Sequence, residues 1–288
     1  MKLFCRLCWY LALSYLWAGL MILLFTRQAT LFLWMGTVFS LLFALLCGVS
    51  QPGFFRGGRR WAVHFLMTLL LIGVQVAAWR FAYFERDPQR VIPEDPAILA
   101  PADGFVVYIR NVEEGRVPLA VKNEHSIRLE EILKMKVPLQ ESVIIGIFMT
   151  PVSVHVNRAP ISGVVESRAY FKGDSLASML PMGLRTILAR KPFESGSRHI
   201  IQNERETLLI RGDFPVVLTR IADRFVDKIV TWKKEGEFVR QGERLGMIKM
   251  GSQTDVVFPA RVAGRPVRVL VREGQYVYAG STVLARFE

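Results

Sequence analysis

Residues Gly246–Ala260 read GMIKMGSQTDVVFPA, and two chemistries compete for the segment. Lys249-Met250 is a lysine of the kind that carries biotin or lipoate, set between glycines in a β-prone run. Gly251-Ser252 is a peptide bond that a chain can cut in itself. A serine hydroxyl attacks the preceding carbonyl when the bond is held in a tight turn, and glycine removes the steric obstacle to a strained backbone there. The hydroxyl is a weak nucleophile until a base takes its proton, and that base must be oriented by a third group.

Candidates for the base are few. The chain has four histidines: His64 falls in an apolar segment, leaving His125, His155 and His199. His155 lies in FMTPVSVHVNRAPISG, among valines and prolines, where a lone histidine also suits a core position. Asp103, in APADG, is the candidate orienting carboxylate, although aspartate before glycine is also ordinary turn chemistry. Arg158, three residues after His155, has a planar fork suited to a carboxylate or phosphate, or to a structural ion pair. Cys5 and Cys8 form a CxxC without further ligands nearby, so no metal site is expected.

The elements that must position these groups are mostly β. The junction FERDPQRVIPEDPAILAPADG carries Pro88, Pro93, Pro96 and Pro101 and cannot be one helix. Short β-prone runs follow: Phe105–Ile109, Val143–Phe148, Val152–Val156, Gly163–Ala169, Thr207–Ile210 and Val216–Ile221. Phe225–Trp232, Leu245–Lys249, Val256–Phe258, Val267–Val271 and Thr282–Phe287 complete them. Residues 175–190 are expected to be irregular or a short helix. A repeat in the frame EGxxVxxGxxL joins KKEGEFVRQGERLGMIKM to VREGQYVYAGSTVLARF. Two such units suit a pseudo-twofold barrel-sandwich of the biotinyl or lipoyl type, with Lys249 at a hairpin tip.

The other end of the chain differs. Cys8–Phe25, Leu31–Val49 and Trp61–Trp79 are uncharged and close to the ~20 residues a helix needs to cross a bilayer. Residues 1–84 therefore read as a membrane anchor of about three helices, and 85–288 as a β domain. The basic side chains flanking the spans divide almost evenly, so charge does not fix the topology. A net charge of +12 fits a membrane surface. Nucleic acid is not expected, since no recognition motif accompanies the charge.

YFERDPQR with APADG, then FMTPVSVHVNRAPISG, NERETLLI and MGSQTDVVFP, resemble in order the motifs of the phosphatidylserine decarboxylases, in their shorter bacterial and archaeal branch. The resemblance runs from Phe84 to the end and implies a proenzyme. Ser252 attacks Gly251, the ester eliminates, and the new amino terminus becomes a pyruvoyl group, a covalent cofactor. The large and small chains stay associated. The pyruvoyl ketone forms a Schiff base with phosphatidylserine, or a related serine phospholipid, and takes up the electrons left by carbon dioxide. It further implies the inner membrane, with the domain on the cytoplasmic side.

The longer bacterial branch carries two histidines where this chain has His155 and Arg158. Arginine is no general base, so either His155 serves both self-cleavage and decarboxylation, or another arrangement assisted by Asp103 does. The rivals are a carrier using Lys249 and an efflux-type membrane adaptor without catalysis.

Overall fold

A computed structural model of the chain describes residues 84–287 apart from 95, 120–125, 151, 174–176, 224–228 and 250–251. The three apolar segments, all three cysteines, His64, His125 and Gly251 lie outside the described residues. Among the described residues no helix is long and apolar enough to cross a membrane. The chain divides into two units, Met1–Glu85 and Arg86–Glu288, and the second is described here.

The elements run β1 (Ile98–Leu99), β2 (Gly104–Val112), β3 (Arg116–Val117), β4 (Ile127–Arg128), α1 (Leu129–Leu133), β5 (Ser142–Met149) and β6 (Val156–Arg158). They continue with β7 (Gly163–Phe171), α2 (Leu180–Ile187), α3 (His199–Gln202), β8 (Arg205–Arg211), β9 (Pro215–Ala222) and β10 (Ile229–Thr231). Last come β11 (Phe238–Val239), β12 (Arg244–Ile248), β13 (Ser252–Pro259), β14 (Arg261–Val262), β15 (Arg265–Val269), β16 (Tyr276–Val277) and β17 (Val283–Phe287).

A long antiparallel sheet, in the order β11-β7-β8-β9-β13-β5-β2-β16, is the backbone of the domain. Its central strands are covered on both faces, which is why β5, SVIIGIFM, is buried throughout rather than alternating. Towards the edge, β7 alternates buried and exposed residues over much of its length. On one face Val106, Ile147, Leu218 and Val256 pack against β1, β12 and β17 of two smaller sheets, β1-β17-β15-β14 and β10-β12-β6. On the other face Phe148, Leu209 and Val257 pack beneath Ile132 of α1, Met182 of α2 and Ile200 of α3.

The repeat foreseen in the sequence is a spatial one. β11 pairs with β7 at one edge of the long sheet, and β16 with β2 at the other. Gly236 and Gly242 in the first unit, and Gly274 and Gly280 in the second, all have positive φ, between 72° and 86°, where a side chain would be strained. Gly236 donates to the Val165 carbonyl and Gly274 to that of Val106. Gly242 donates to the Ala159 carbonyl and Gly280 to that of Ala100. The symmetry extends to APISG and APADG, because Leu99 donates to Pro160 and Arg158 to Pro101, both within 2.9 Å. Asp103 Oδ1 accepts from Ala279 N as Ser162 Oγ accepts from Gln241 N.

Three expectations change. Residues 152–155 are not a strand: Ser153 N–H donates to the Thr150 carbonyl and Ser153 Oγ takes Thr150 N–H, which folds the chain back before β6. β13 starts at Ser252, not Val256. Lys249 is not at a hairpin tip, because β12 pairs with β10 and β6 while β13 belongs to the long sheet. The step from Ile248 to Ser252 thus carries the chain from one sheet to another.

Candidate active site

Ser252 is the first residue of β13 and is fully buried. It stands opposite Met149 of β5 on one side and Ala222 of β9 on the other. Its Oγ donates to Met149 Sδ at 3.2 Å. The same sulfur receives Thr254 Oγ1 at 3.6 Å and Asn157 Nδ2 at 3.8 Å. A thioether is a weak acceptor, so the hydroxyl is oriented without being held firmly. Asn157 Oδ1 is buried with no hydrogen-bond partner among the described residues.

His155 is fully buried just ahead of β6. Its carbonyl accepts from Ile248 N at 3.3 Å, four residues before Ser252. Its Nδ1 lies 2.9 Å from the Ser153 carbonyl. A carbonyl only accepts, so Nδ1 carries the proton and Nε2 is the basic nitrogen. Ser153 is fixed in turn by Thr150 and by Tyr276, whose hydroxyl donates to Ser153 Oγ at 3.1 Å. Burial pushes the Tyr276 phenol up to about 12, with the Ser153 hydrogen bond opposing and Asp103 adding to it. Tyr276 is therefore a proton donor throughout the physiological range.

Asp103 and Arg158 are held by one strap, Arg86–Arg90. Asp103 is buried, and its carboxylate takes Arg90 Nη2 at 2.7 Å and Ala279 N at 2.7 Å. Burial raises its pKa, against the opposing Ala279 N–H and Arg90. Asp87 binds Arg158 at 2.6 Å and also pairs with Arg244. Arg158 Nη1 further donates to the Gly242 carbonyl at 3.0 Å. Arg86 reaches the Val152 carbonyl at 2.6 Å, inside the loop that leads to His155.

The register separates Asp103 from Ser252. Phe105 and Gln253 both face Phe148 from opposite sides, so the two backbones lie about 10 Å apart, two strand spacings. The Asp103 carboxylate turns away from β5, towards β16. Its hydrogen bonds go to Arg90 and Ala279 N, and only its charge bears on Tyr276, which donates to Ser153 of the histidine loop.

The other face of β13 carries Gln253 and Asp255. Gln253 Oε1 accepts from His199 Nε2 at 2.9 Å, and its Nε2 donates to Tyr108 Oη at 2.8 Å and Asp255 Oδ1 at 2.7 Å. The Tyr108 ring lies on Gly146, where an added Cβ would come within 2.4 Å of it. Burial drives Asp255 up to about 6, with Gln253, the Tyr108 hydroxyl and Arg205 opposing. Burial also drives His199 down to about 4, against the Gln253 hydrogen bond and with Arg205 adding to it.

The profile of the family described as phosphatidylserine decarboxylase matches residues 77–285. The phosphatidylserine decarboxylase proenzyme of Azorhizobium caulinodans is 36% identical over 220 residues, covering 76% of this chain and 78% of that one. That of Nitrosomonas europaea is 31% identical over 236 residues, 81% of this chain and 86% of that one. The chain belongs to the phosphatidylserine decarboxylase family. A putative archaetidylserine decarboxylase proenzyme of Methanocaldococcus jannaschii is 36% identical over 205 residues, 70% of this chain and 87% of that one.

Within this decarboxylase family chain, the structure gives roles to motifs that sequence reasoning left without one. Asn203 binds Ala177 N and the carbonyls of Ala177 and Ala222, all at 2.8 Å, tying a loop to the residue opposite Ser252. Arg205 caps the carbonyls of Ile132, His199, Ile200 and Asn203. Glu206 and Arg220 form a buried pair in the row that continues to Thr254. The strap, Tyr276, Met149 and the Gln253 network were also missed. The strap had a signal: four charges spaced through FERDPQR, next to prolines, in a segment that cannot be a helix. Tyr108 and Gln253 had none, because their partners are remote in the chain.

Proposed function

We propose that the chain is a self-processing, pyruvoyl-dependent phosphatidylserine decarboxylase. Residues 1–84 would anchor it to the inner membrane, with residues 85–288 as the catalytic domain on the cytoplasmic side. The observation that carries the reading is the seat of Ser252. The serine is buried where the chain changes sheets and is oriented by Met149, and a family of proenzymes surrounds it in sequence.

In self-cleavage, Ser252 Oγ attacks the Gly251 carbonyl while His155 Nε2 takes the hydroxyl proton, and the peptide nitrogen leaves as the amine. Elimination from the ester then releases the Gly251 carboxylate and leaves a dehydroalanine, which tautomerises and loses ammonia to water as the pyruvoyl forms. The residues present fit such a group. The seat is buried, and Thr254 and Asn157 offer donors beside the Met149 sulfur. β13 is paired on both sides, so the new terminus stays in place while β16 and β17 hold the small chain to β2 and β1. Once formed, the pyruvoyl supplies the electron sink that decarboxylation needs.

His155 then protonates the product carbon from the same buried position, Ser153 keeping its tautomer fixed. Asp103 assists by holding Arg90 and the β16 turn, and so Tyr276. Arg158 is the candidate for the anionic headgroup, which must draw it from Asp87. The repeat units act as a carrier-like scaffold, and Lys249 is structural. An ether lipid with the same serine headgroup has the same reacting atoms and is a second substrate.

The test is release of carbon dioxide and the ethanolamine lipid from dispersed phosphatidylserine, by wild type and by Lys249→Arg. Both are expected to be active, and borohydride is expected to abolish the activity. Processed protein that releases carbon dioxide from neither an ester nor an ether serine lipid overturns the reading.

A further inference from the structure

α2 is apolar on both sides. Met182, Gly183 and Thr186 are buried against the second core, while Leu180, Leu184 and Leu188 face outward and are 58%, 42% and 56% exposed. The spacing of four aligns these three leucines on one face. A helix on a globular surface normally turns charged or polar residues to water, and exposed apolar patches of this kind mark contact surfaces.

Cations surround the leucines. A depression of about 530 Å³ is lined by Pro181, Leu184, Arg185, Leu188, Arg190 and Lys191, with no acidic side chain in its wall. Arg185 and Arg190 form no ion pair among the described residues, and Arg185 leans on the Pro192 carbonyl at 3.3 Å. Lys191 is 3.4 Å from Glu273, a carboxylate that Arg110 holds more closely.

The face also lies at the site's end of the sheet. A Cβ on Gly183 would stand 3.1 Å from the Phe148 ring, and Phe148 pairs with Gln253 next to Ser252. Met179 N–H donates to Asp223 Oδ1 at 3.1 Å, just past Ala222, which pairs with Ser252.

We propose that the outer face of α2 docks on an anionic phospholipid surface, its leucines entering the apolar boundary while Arg185, Arg190 and Lys191 meet the headgroups. Apolar residues ringed by cations are the pattern of an interfacial helix. A second copy is a poor occupant, because a twofold contact would set the three cations against themselves. The choice of lipid rests in part on the serine-lipid reading, since the substrate would then arrive along this face.

The full chain, with its cysteines replaced by serine, is labelled with a nitroxide at Leu184→Cys or, as an exposed control, at Arg265→Cys. It is reconstituted in phosphatidylglycerol or phosphatidylcholine vesicles, and collision with oxygen and with an aqueous nickel chelate is compared. In phosphatidylglycerol, position 184 is expected to lose collisions with the chelate and gain them with oxygen, at least about threefold relative to 265. Replacing Arg185, Arg190 and Lys191 by glutamine should bring that ratio down to its phosphatidylcholine value. Equal access to the chelate at 184 and 265 overturns the proposal. So does shielding of 184 from both reagents, in detergent as in vesicles, which means that the chain's own amino-terminal segment or another protein covers it. Chain cleavage, read by mass on the same samples, reports separately on the decarboxylase reading, because α2 can enter a bilayer in a chain that never processes.

Discussion

Ser252 Oγ lies 3.2 Å from Met149 Sδ, straight across the pairing of β13 with β5. The nucleophile is thus aimed by a sulfur too weak to hold its proton. Met149→Leu keeps the volume, costing less than about 1.5 kcal/mol, and removes the acceptor. The hydroxyl then loses its aim, so cleavage should be slower than in wild type, followed by gel or mass after expression. A variant that processes as fast as wild type with its fold intact would mean that the sulfur contact does not aim the hydroxyl.

His155 and Asp103 should separate. His155 is the group with a basic nitrogen in the buried loop, and general-base loss typically costs 10²–10⁴-fold. His155→Ala should therefore slow processing by about a hundredfold or more. Asp103→Asn keeps an acceptor for Ala279 N–H and loses only the charge facing Arg90, so about tenfold or less is expected. Equal losses in the two would point to a relay through Tyr276 and Ser153, and Tyr276→Phe should then match them.

The Gln253 network makes stability depend on pH in two opposed ways. His199 is lowered to about 4 from 6.5, so the unfolded chain binds the extra proton between those values. Its contribution is complete above 6.5 and is lost as pH falls towards 4. Asp255 is raised to about 6 from 3.8, so the folded chain binds the extra proton in that window, and stability falls as pH rises through it. Each amounts to about 3 kcal/mol, so the wild type should be nearly flat between pH 4 and 6. His199→Gln should lose stability as pH rises through this window, and Asp255→Asn should gain it. Thermal melts at pH 4.5 and 6.5 check the two slopes, and matching slopes in both variants would contradict the assignment.

Arg158 has two claims on it, the headgroup and Asp87. If it meets the headgroup, Arg158→Lys should raise KM for serine lipid about tenfold with kcat within about twofold, because the bidentate fork is lost. A lower melting temperature with KM unchanged would make the Asp87 pair its whole role.

What the sequence disclosed followed local pattern. The β5 and β9 runs, the helix within residues 175–190 and the paired EGxxVxxGxxL units could be read because hydrophobic alternation and glycine turns are local signals. Sequence alone limits β13 to Val256–Phe258 because Gln253 and Asp255 look like surface residues. Gln253 is buried because Tyr108 and His199, 145 and 54 positions away in sequence, satisfy it, and Asp255 because Gln253 donates to its Oδ1. The carrier-like tip at Lys249 misled for a related reason, since nothing local says that β12 and β13 join different sheets. Ser252, His155 and Asp103 are singled out by type and spacing. That Asp103 faces the strap instead of the serine is a matter of register, which no motif records.

The most direct test is the intact mass of purified wild type and Ser252→Ala. The account predicts that wild type divides into Met1–Gly251 and a short chain beginning at position 252, blocked by a ketone that borohydride reduces, while the variant remains whole. A wild-type chain that stays whole in a preparation active on serine lipid, or a cut at any other bond, would contradict it.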